Sequence, residues 1–165
     1  MPDAVIEPRH APQTASAIRR AHLMTAIMLV AIVGVAVSSG SLYEHFATSS
    51  TSFCNFSESF NCDLVNRSPY STVLGVPVAL IGIIGYLLIL TLATIYRNQA
   101  ETMVLLLVAS SGGLGFALYL TYIEKFKLGV WCILCLTSLG LICSEVILST
   151  VVTLNFSRRR NDRVQ

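Results

Sequence analysis

The 165-residue chain is 54% hydrophobic and only 12% charged, with a formal net charge of +2, whereas soluble domains have roughly 25% charged residues. This composition excludes an ordinary soluble domain, and the small net charge gives no support to nucleic-acid binding. The charged residues lie mainly at the termini and between apolar runs, which indicates an integral membrane protein.

The apolar runs follow one another along the chain, separated by polar segments. A run needs about 20 residues to cross the hydrocarbon core of a bilayer. The predicted elements, in order, are a mobile polar tail at 1–20, a first span at 21–42, an outer polar loop at 43–72, spans at 73–96, 102–123 and 129–154, and a basic tail at 155–165. The sequence therefore predicts an all-α integral membrane protein, a four-transmembrane-helix bundle with an outer loop between helices 1 and 2.

Small residues inside the spans favour close helix packing, since lipid tails provide no hydrophobic force between helices. They are Gly34 in the first span, Gly82 and Gly85 in the second, and Ser110, Ser111, Gly112, Gly113 and Gly115 in the third. We expect a compact bundle.

The basic residues set the predicted orientation. Of the 11 Lys and Arg residues, all but Arg67, Lys125 and Lys127 fall on the side that holds both termini. Cytoplasmic segments carry the excess of positive charge, so we predict a multi-pass inner (cytoplasmic) membrane protein with both termini in the cytoplasm. The cysteines of the first loop and those at the start of the fourth span then share the periplasmic, oxidising face.

The start of the fourth span carries the strongest chemical signal, the pair Cys132 and Cys135. Residues three apart are neighbours on a helix, so their thiols can form and reopen a disulfide. A helix N-terminus also lowers the pKa of a thiol. The alternatives are half of a zinc site, which needs further ligands, or two inert buried cysteines.

Cys54 and Cys62 lie in the outer loop with seven residues between them. They either form a structural disulfide or act as a shuttle that passes electrons to Cys132 and Cys135 by thiol–disulfide exchange. The electron acceptor is expected to be a lipid-soluble quinone, because the chain has no nucleotide-binding glycine pattern and no histidine pairs for haem within its spans.

Taken together, these features resemble the vitamin K epoxide reductase family in its bacterial form, over roughly residues 20–154. The resemblance rests on the combined pattern Cys54-x7-Cys62-x5-Ser68-Pro69, Gly75-x-Pro77 and Cys132-x-x-Cys135. It implies a four-helix bundle around a quinone, menaquinone or ubiquinone, and a DsbA-type thioredoxin-fold partner on the outer face. Because the chain ends soon after the fourth span, we expect this partner to be a separate protein rather than a fused domain.

The resemblance also implies a role for each cysteine. Cys135 is expected nearest the quinone, as its reactive thiolate, and Cys132 to exchange with Cys62. Cys54 is the thiol expected to meet the partner.

Three further residues are expected around the quinone. Ser68 matches a family serine that supports the site by hydrogen bonding. Leu139 occupies the position of a tyrosine near the quinone in the vertebrate enzymes, and Trp131 either covers the quinone or belongs to the interfacial aromatic belt. Because that tyrosine is absent and no clear asparagine lies early in the second span, plain quinone reduction is expected rather than epoxide reduction.

Two buried candidates receive structural interpretations. Cys143 lies more than two turns below Cys132 and is interpreted as a small buried hydrophobe. Glu145 is the ionisable residue well inside a span. It either delivers protons, or is a protonated or hydrogen-bonded structural residue or one that reaches the cytoplasmic interface, and we favour a structural role over proton delivery.

The sequence thus predicts a membrane thiol:quinone oxidoreductase that supports disulfide bond formation and holds no metal. Two non-enzymatic alternatives remain: a membrane protein with structural disulfides, or a metal-handling protein that uses the four outer cysteines.

Overall fold

A computed structural model of the protein describes residues 11–47, 60–95 and 100–162. Its helices, in chain order, are α1 (Ala11–Phe46), the short α2 (Cys62–Asn66), α3 (Val78–Thr94), α4 (Ala100–Ile123) and α5 (Ile133–Asp162). A 3₁₀ turn at Pro69–Ser71 follows α2, and a π-helical turn at Glu124–Leu128 extends α4. The described chain is therefore mostly helical, as the sequence predicts, although α1 begins at Ala11, within the segment predicted as a mobile tail.

Among the described residues, three helical stretches are long and apolar enough to cross a membrane, namely Ile18–Phe46, Glu101–Leu128 and Ile133–Arg158. Helix α3 is also apolar but has only 17 residues. These helices make the chain a multi-pass membrane protein.

The long helices pack side by side around a shared core. Helix α1 contacts α3 and α5, and α4 contacts α5 and α3. Ile27 from α1 and Leu106 from α4 are fully buried in the core.

Small residues allow close approach at only some of the predicted positions. An added Cβ would lie 2.4 Å from the Tyr86 ring at Gly34, 2.9 Å from Ser38 Oγ at Gly82, and 3.1 Å from Ile142 at Gly113. It would meet nothing within 4 Å at Gly85, Gly112 or Gly115.

Helix α3 begins at Val78, five residues after the start of the predicted span. Residues 72–77 form a hairpin in which Thr72–Val73 pairs with Val76–Pro77. The turn between the strands is made by Leu74 and Gly75, whose φ angles are 53° and 81°. Such angles leave the helical region, and a residue that precedes a proline, here Val76, also disfavours helix. Apolar composition therefore placed the start of the span too early.

The fourth predicted span also begins later than expected. The π-helical turn ends at Gly129, which has a φ of 68°, and α5 starts at Ile133. The link predicted as a polar connection is thus helical over Glu124–Leu128, and its first residue is buried.

Candidate redox site

Cys132 is the residue that immediately precedes helix α5, and it caps that helix. Its carbonyl oxygen accepts a hydrogen bond from the Leu136 N–H at 3.0 Å, and its Sγ accepts one from the Cys135 N–H at 3.4 Å. The first N–H groups of a helix have no partner within the helix, so the sulfur takes the position of an N-cap oxygen. The Cys135 side chain hydrogen bonds with Cys132 and lowers the pKa of the Cys132 thiol, opposed by burial.

The outer loop is attached to the same end of α5. The Asn61 N–H donates to the Trp131 carbonyl at 3.0 Å, and Phe60 and Trp131 form an isolated parallel bridge. Asn61 also caps α2, because its side chain accepts from the Leu64 N–H at 2.9 Å. These bonds fix Cys62, the first residue of α2, beside the start of α5.

Cys62 and Cys132 are both fully buried and belong to one apolar cluster, completed by Val65, Leu128, Val130, Leu134 and Cys135. Cys62 is disulfide-bonded, whereas Cys132 and Cys135 are free thiols. Cys54 lies outside the described residues. The structure therefore brings one loop cysteine and the helix pair to the same end of the bundle, here named the cysteine end after Cys62, Cys132 and Cys135.

A cavity of about 380 Å³ opens between the long helices below the cysteine end. Its walls are mainly apolar and include Ile81 and Leu88 from α3 and Phe116 from α4. Cys135 lies on its wall, which places one thiol of the pair in contact with an apolar chamber.

Polar side chains cluster where this cavity meets the loop. Ser41 Oγ donates to Asn66 Oδ1 at 2.8 Å, His45 Nδ1 donates to the Asn66 carbonyl, and Ser68 Oγ donates to the Val65 carbonyl at 2.8 Å. Asn66 is buried, and its Nδ2 has no hydrogen-bond partner within the described residues. An amide donor therefore remains unsatisfied on the cavity wall.

Glu124, in the π-helical turn, contributes a carboxyl group to the site. It is 2% exposed, lines the same cavity as Cys135, and accepts a hydrogen bond from the Cys132 N–H at its Oε2, over 3.1 Å. Its carboxyl also interacts electrostatically with the thiols of Cys132 and Cys135. The N-terminal cap of α5, the thiols of Cys132 and Cys135, and the Glu124 carboxyl thus all interact with one another.

A model of the vitamin K epoxide reductase family matches residues 25–150 of the chain. This match covers most of the sequence and contains every element of the site. The chain belongs to the vitamin K epoxide reductase family. No curated protein matches the chain. Family membership identifies a membrane oxidoreductase and supports a quinone as the compound on which it acts.

The vitamin K epoxide reductase site contains some of the residues predicted around the quinone and not others. Ser68 lines the cavity, and its supporting role at the quinone stays a prediction. Trp131 and Leu139 are not part of the described cavity wall. The backbone of Trp131 holds the loop, and Leu139 packs against the hydrophobic core, so a quinone contact by either residue stays a prediction.

The two buried candidates also lie away from the described cavity wall. Cys143 is a free, partly buried thiol on α5. Glu145 is fully buried, and neither carboxyl oxygen has a hydrogen-bond partner among the residues that the structure describes. The predicted structural roles of both residues stay predictions.

Sequence analysis missed Glu124 and Asn66. Glu124 precedes Lys125 and Lys127, which are exposed, and the whole segment therefore resembles a solvated link. Asn66 lies in the outer loop, at the end of α2. The sequence pattern directs attention instead to the early part of the second span, which has no clear asparagine. One signal was available for Glu124: it lies eight residues before Cys132, close enough in the chain to return to the helix cap.

Proposed function

We propose that the protein is a thiol:quinone oxidoreductase that keeps a disulfide-forming partner oxidised. Electrons pass from the partner to Cys54 and Cys62, then to Cys132 and Cys135, and finally to a quinone. Each of the first two transfers is a thiol–disulfide exchange through a mixed disulfide. The last joins Cys132 and Cys135 in a disulfide while the quinone takes up two electrons and two protons.

The observation that carries this proposal is the shared burial of Cys62 and Cys132 beside a cavity lined by Cys135. In the proposed direction the Cys62 thiolate attacks the Cys132–Cys135 disulfide, so Cys62 in a disulfide with Cys132 and Cys135 as free thiols corresponds to the state after that transfer. The lowered pKa of Cys132 makes its thiolate a better leaving group when Cys54 resolves the mixed disulfide between Cys62 and Cys132.

The cavity suits a quinone by size and chemistry. Its volume of about 380 Å³ lies in the range of roughly 300–1,000 Å³ that small-molecule sites occupy. The apolar walls match a quinone ring, and the unpaired Asn66 Nδ2 is a hydrogen-bond donor suited to a quinone carbonyl. Menaquinone and ubiquinone both meet these requirements.

We further propose an inner-membrane location with both termini in the cytoplasm and the cysteine end facing the periplasm. Helix α3, about 25 Å long at 1.5 Å per residue, forms a fourth span, and the 72–77 hairpin lies at the membrane surface. A separate thioredoxin-fold protein of the DsbA type reaches the loop from that side.

Quinone reduction by the purified protein tests the proposal. Under anaerobic conditions, wild-type protein with dithiothreitol is expected to reduce a soluble quinone analogue, followed by its absorbance. Cys132→Ala and Cys135→Ala are expected to abolish this reaction, because neither keeps the dithiol at the start of α5 that reduces the quinone. Normal turnover of Cys135→Ala would refute the assignment of the quinone-side thiol.

Cys54→Ala separates the two halves of the relay. It is expected to block electrons from a reduced thioredoxin-fold partner and to spare reduction by dithiothreitol, which is small enough to reach the helix pair directly. Cys143→Ala serves as the matched control and is expected to keep nearly normal rates with both reductants. Equal loss of both reactions in Cys54→Ala would contradict the proposed order.

Thiol trapping distinguishes the proposed relay from the two non-enzymatic alternatives, a structural disulfide and a metal site. A relay shows cysteine pairs that change redox state when quinone or a reduced partner is added. A structural disulfide stays oxidised throughout, and a metal site loses its thiol protection when a chelator is added.

A further inference from the structure

Glu124 is a buried carboxyl whose two oxygens have different surroundings. Oε2 accepts the Cys132 N–H at 3.1 Å, whereas Oε1 is buried and accepts no hydrogen bond from any described residue. A buried carboxyl oxygen without a hydrogen bond is destabilising. Its presence therefore calls for an explanation, either a function or a partner outside the described residues. Its position beside Cys135, on the cavity wall, indicates what that function is.

The proposed reaction moves protons as well as electrons. Two S–H bonds break and one S–S bond forms between Cys132 and Cys135, while two electrons and two protons end on the two quinone oxygens. Cys132 is fully buried and Cys135 partly buried, so a positioned side chain must handle protons where water has little access.

We propose that the Glu124 carboxylate is the base that removes the Cys135 thiol proton and passes it to a quinone oxygen. This inference rests on the proposed quinone reduction and adds a residue to it. Oε2 holds the carboxyl against the helix cap, and Oε1 is left to carry the proton. The thiolate of Cys135 then supplies electrons, and the quinone oxygen receives the proton from the same wall of the cavity.

The other titratable groups nearby are less suited to this role. Those that interact electrostatically with Glu124 are the two thiols themselves. His45 of α1 also lines the cavity, but its Nδ1 is bonded to the Asn66 carbonyl. Lys125 and Lys127 are exposed.

A purely structural Glu124 would need only to accept the Cys132 N–H. Glutamine does this equally well and cannot take up a proton, so Glu124→Gln separates the two roles. Glu101→Gln is the matched control, because Glu101 lies in the first turn of the same helix and is exposed. Glu124→Asp keeps the carboxyl but withdraws it by one methylene.

Two measurements are made on each full-length variant in detergent. The first is the rate of quinone reduction with dithiothreitol. The second, made without quinone, is the pH at which Cys132 and Cys135 of the reduced protein are half alkylated in a fixed time, resolved by peptide mass spectrometry. This profile reports the charge next to the thiols, because a neighbouring carboxylate disfavours a thiolate.

We expect Glu124→Gln to reduce quinone about 100-fold more slowly, in the range typical of a lost proton-transfer group. Its thiols are expected to alkylate at a lower pH than in wild type, because the neighbouring negative charge is gone. Glu101→Gln is expected to match wild type in both measurements. A Glu124→Gln rate within threefold of wild type, or an unchanged alkylation profile, would overturn the proposal.

Two further outcomes are also decisive. If Glu124→Gln does not fold, Glu124→Asp replaces it: a carboxyl displaced by about 1 Å is expected to slow quinone reduction at least tenfold, and a rate within threefold of wild type overturns the role. If wild-type protein reduces no quinone, the proposed function fails. The alkylation profile alone then shows whether an ionised Glu124 faces the thiols.

Discussion

At the scale of single residues, Cys132 shows how a helix N-terminus changes the acidity of a thiol. Its Sγ replaces the usual capping oxygen of α5, and the hydrogen bond with Cys135 lowers the pKa of the thiol. A lowered pKa means that the thiolate is populated at lower pH, with about tenfold more thiolate for each unit that the pKa falls, while pH stays below both values. The reactive form is therefore present under milder conditions.

We expect the folded, reduced protein to alkylate Cys132 at a lower pH than the same protein in denaturant. The measurement is the pH of half-maximal alkylation of the Cys132 peptide by iodoacetamide, with each rate divided by its plateau value at high pH, because the buried thiol reacts more slowly than the exposed one. Denatured protein is the reference, because unfolding removes both the helix cap and the Cys135 contact. Half alkylation at the same or a higher pH in the folded protein would contradict the cap as the source of reactivity.

The sequence identified the cysteines at this scale but not their neighbours. A Cys-x-x-Cys at the start of an apolar run already implies a thiol at a helix N-terminus, and that geometry is present at Cys132. Glu124 and Asn66 could not be found in this way, because their burial depends on how the π-helical turn and α2 fold back over the cavity. Such burial arises only when these segments fold, and a local residue pattern does not reveal it.

At the scale of helices, the contact of α1 with α3 includes a close approach at Gly34. An added Cβ at Gly34 would lie 2.4 Å from the Tyr86 ring, and the Tyr86 hydroxyl donates to the Ser138 carbonyl of α5 at 3.0 Å. Tyr86 also lines the cavity. Gly34 therefore allows α1 to lie close to the Tyr86 ring of α3. Because Tyr86 is hydrogen-bonded to Ser138, this close approach also affects how α5 is held.

We expect Gly34→Ala to lower the free energy of unfolding by about 1–3 kcal/mol, the usual range for overpacking, and to slow quinone reduction. The measurement is thermal unfolding in detergent, alongside the quinone assay. Gly40→Ala in the same helix is the matched control, because an added Cβ there meets nothing within 4 Å. Equal stability of the two variants would show that Tyr86 moves aside freely.

Helix starts were the least predictable feature at this scale. Apolar length located every long helix, but Val73, Leu74 and Val76 are as apolar as the helix that follows them. The turn at Leu74 and Gly75 excludes helix by its positive φ angles, which a count of apolar residues does not detect. Gly129 has the same effect before α5.

At the scale of the whole molecule, topology brings the site together. Successive helices of the bundle run in opposite directions, so the chain returns to the same end after every second helix. The sequence thereby predicted that the first loop and the start of α5 meet, and the structure confirms this for Cys62 and Cys132, which share one buried cluster. Which end faces which compartment is a separate question, governed by charge.

We expect the hairpin and the end of α5 to be labelled from opposite sides of the membrane. Leu74, fully exposed at the tip of the hairpin, and Arg158, exposed at the far end of α5, are each replaced by cysteine in a variant whose native cysteines are alanine. Because positive charge concentrates with the termini, a membrane-impermeant maleimide should label Leu74→Cys in intact cells and Arg158→Cys only after permeabilisation. Labelling of both from outside would refute the crossing pattern, and labelling of Arg158→Cys alone would place the thiols in a reducing compartment, where disulfide formation for a partner cannot be their function.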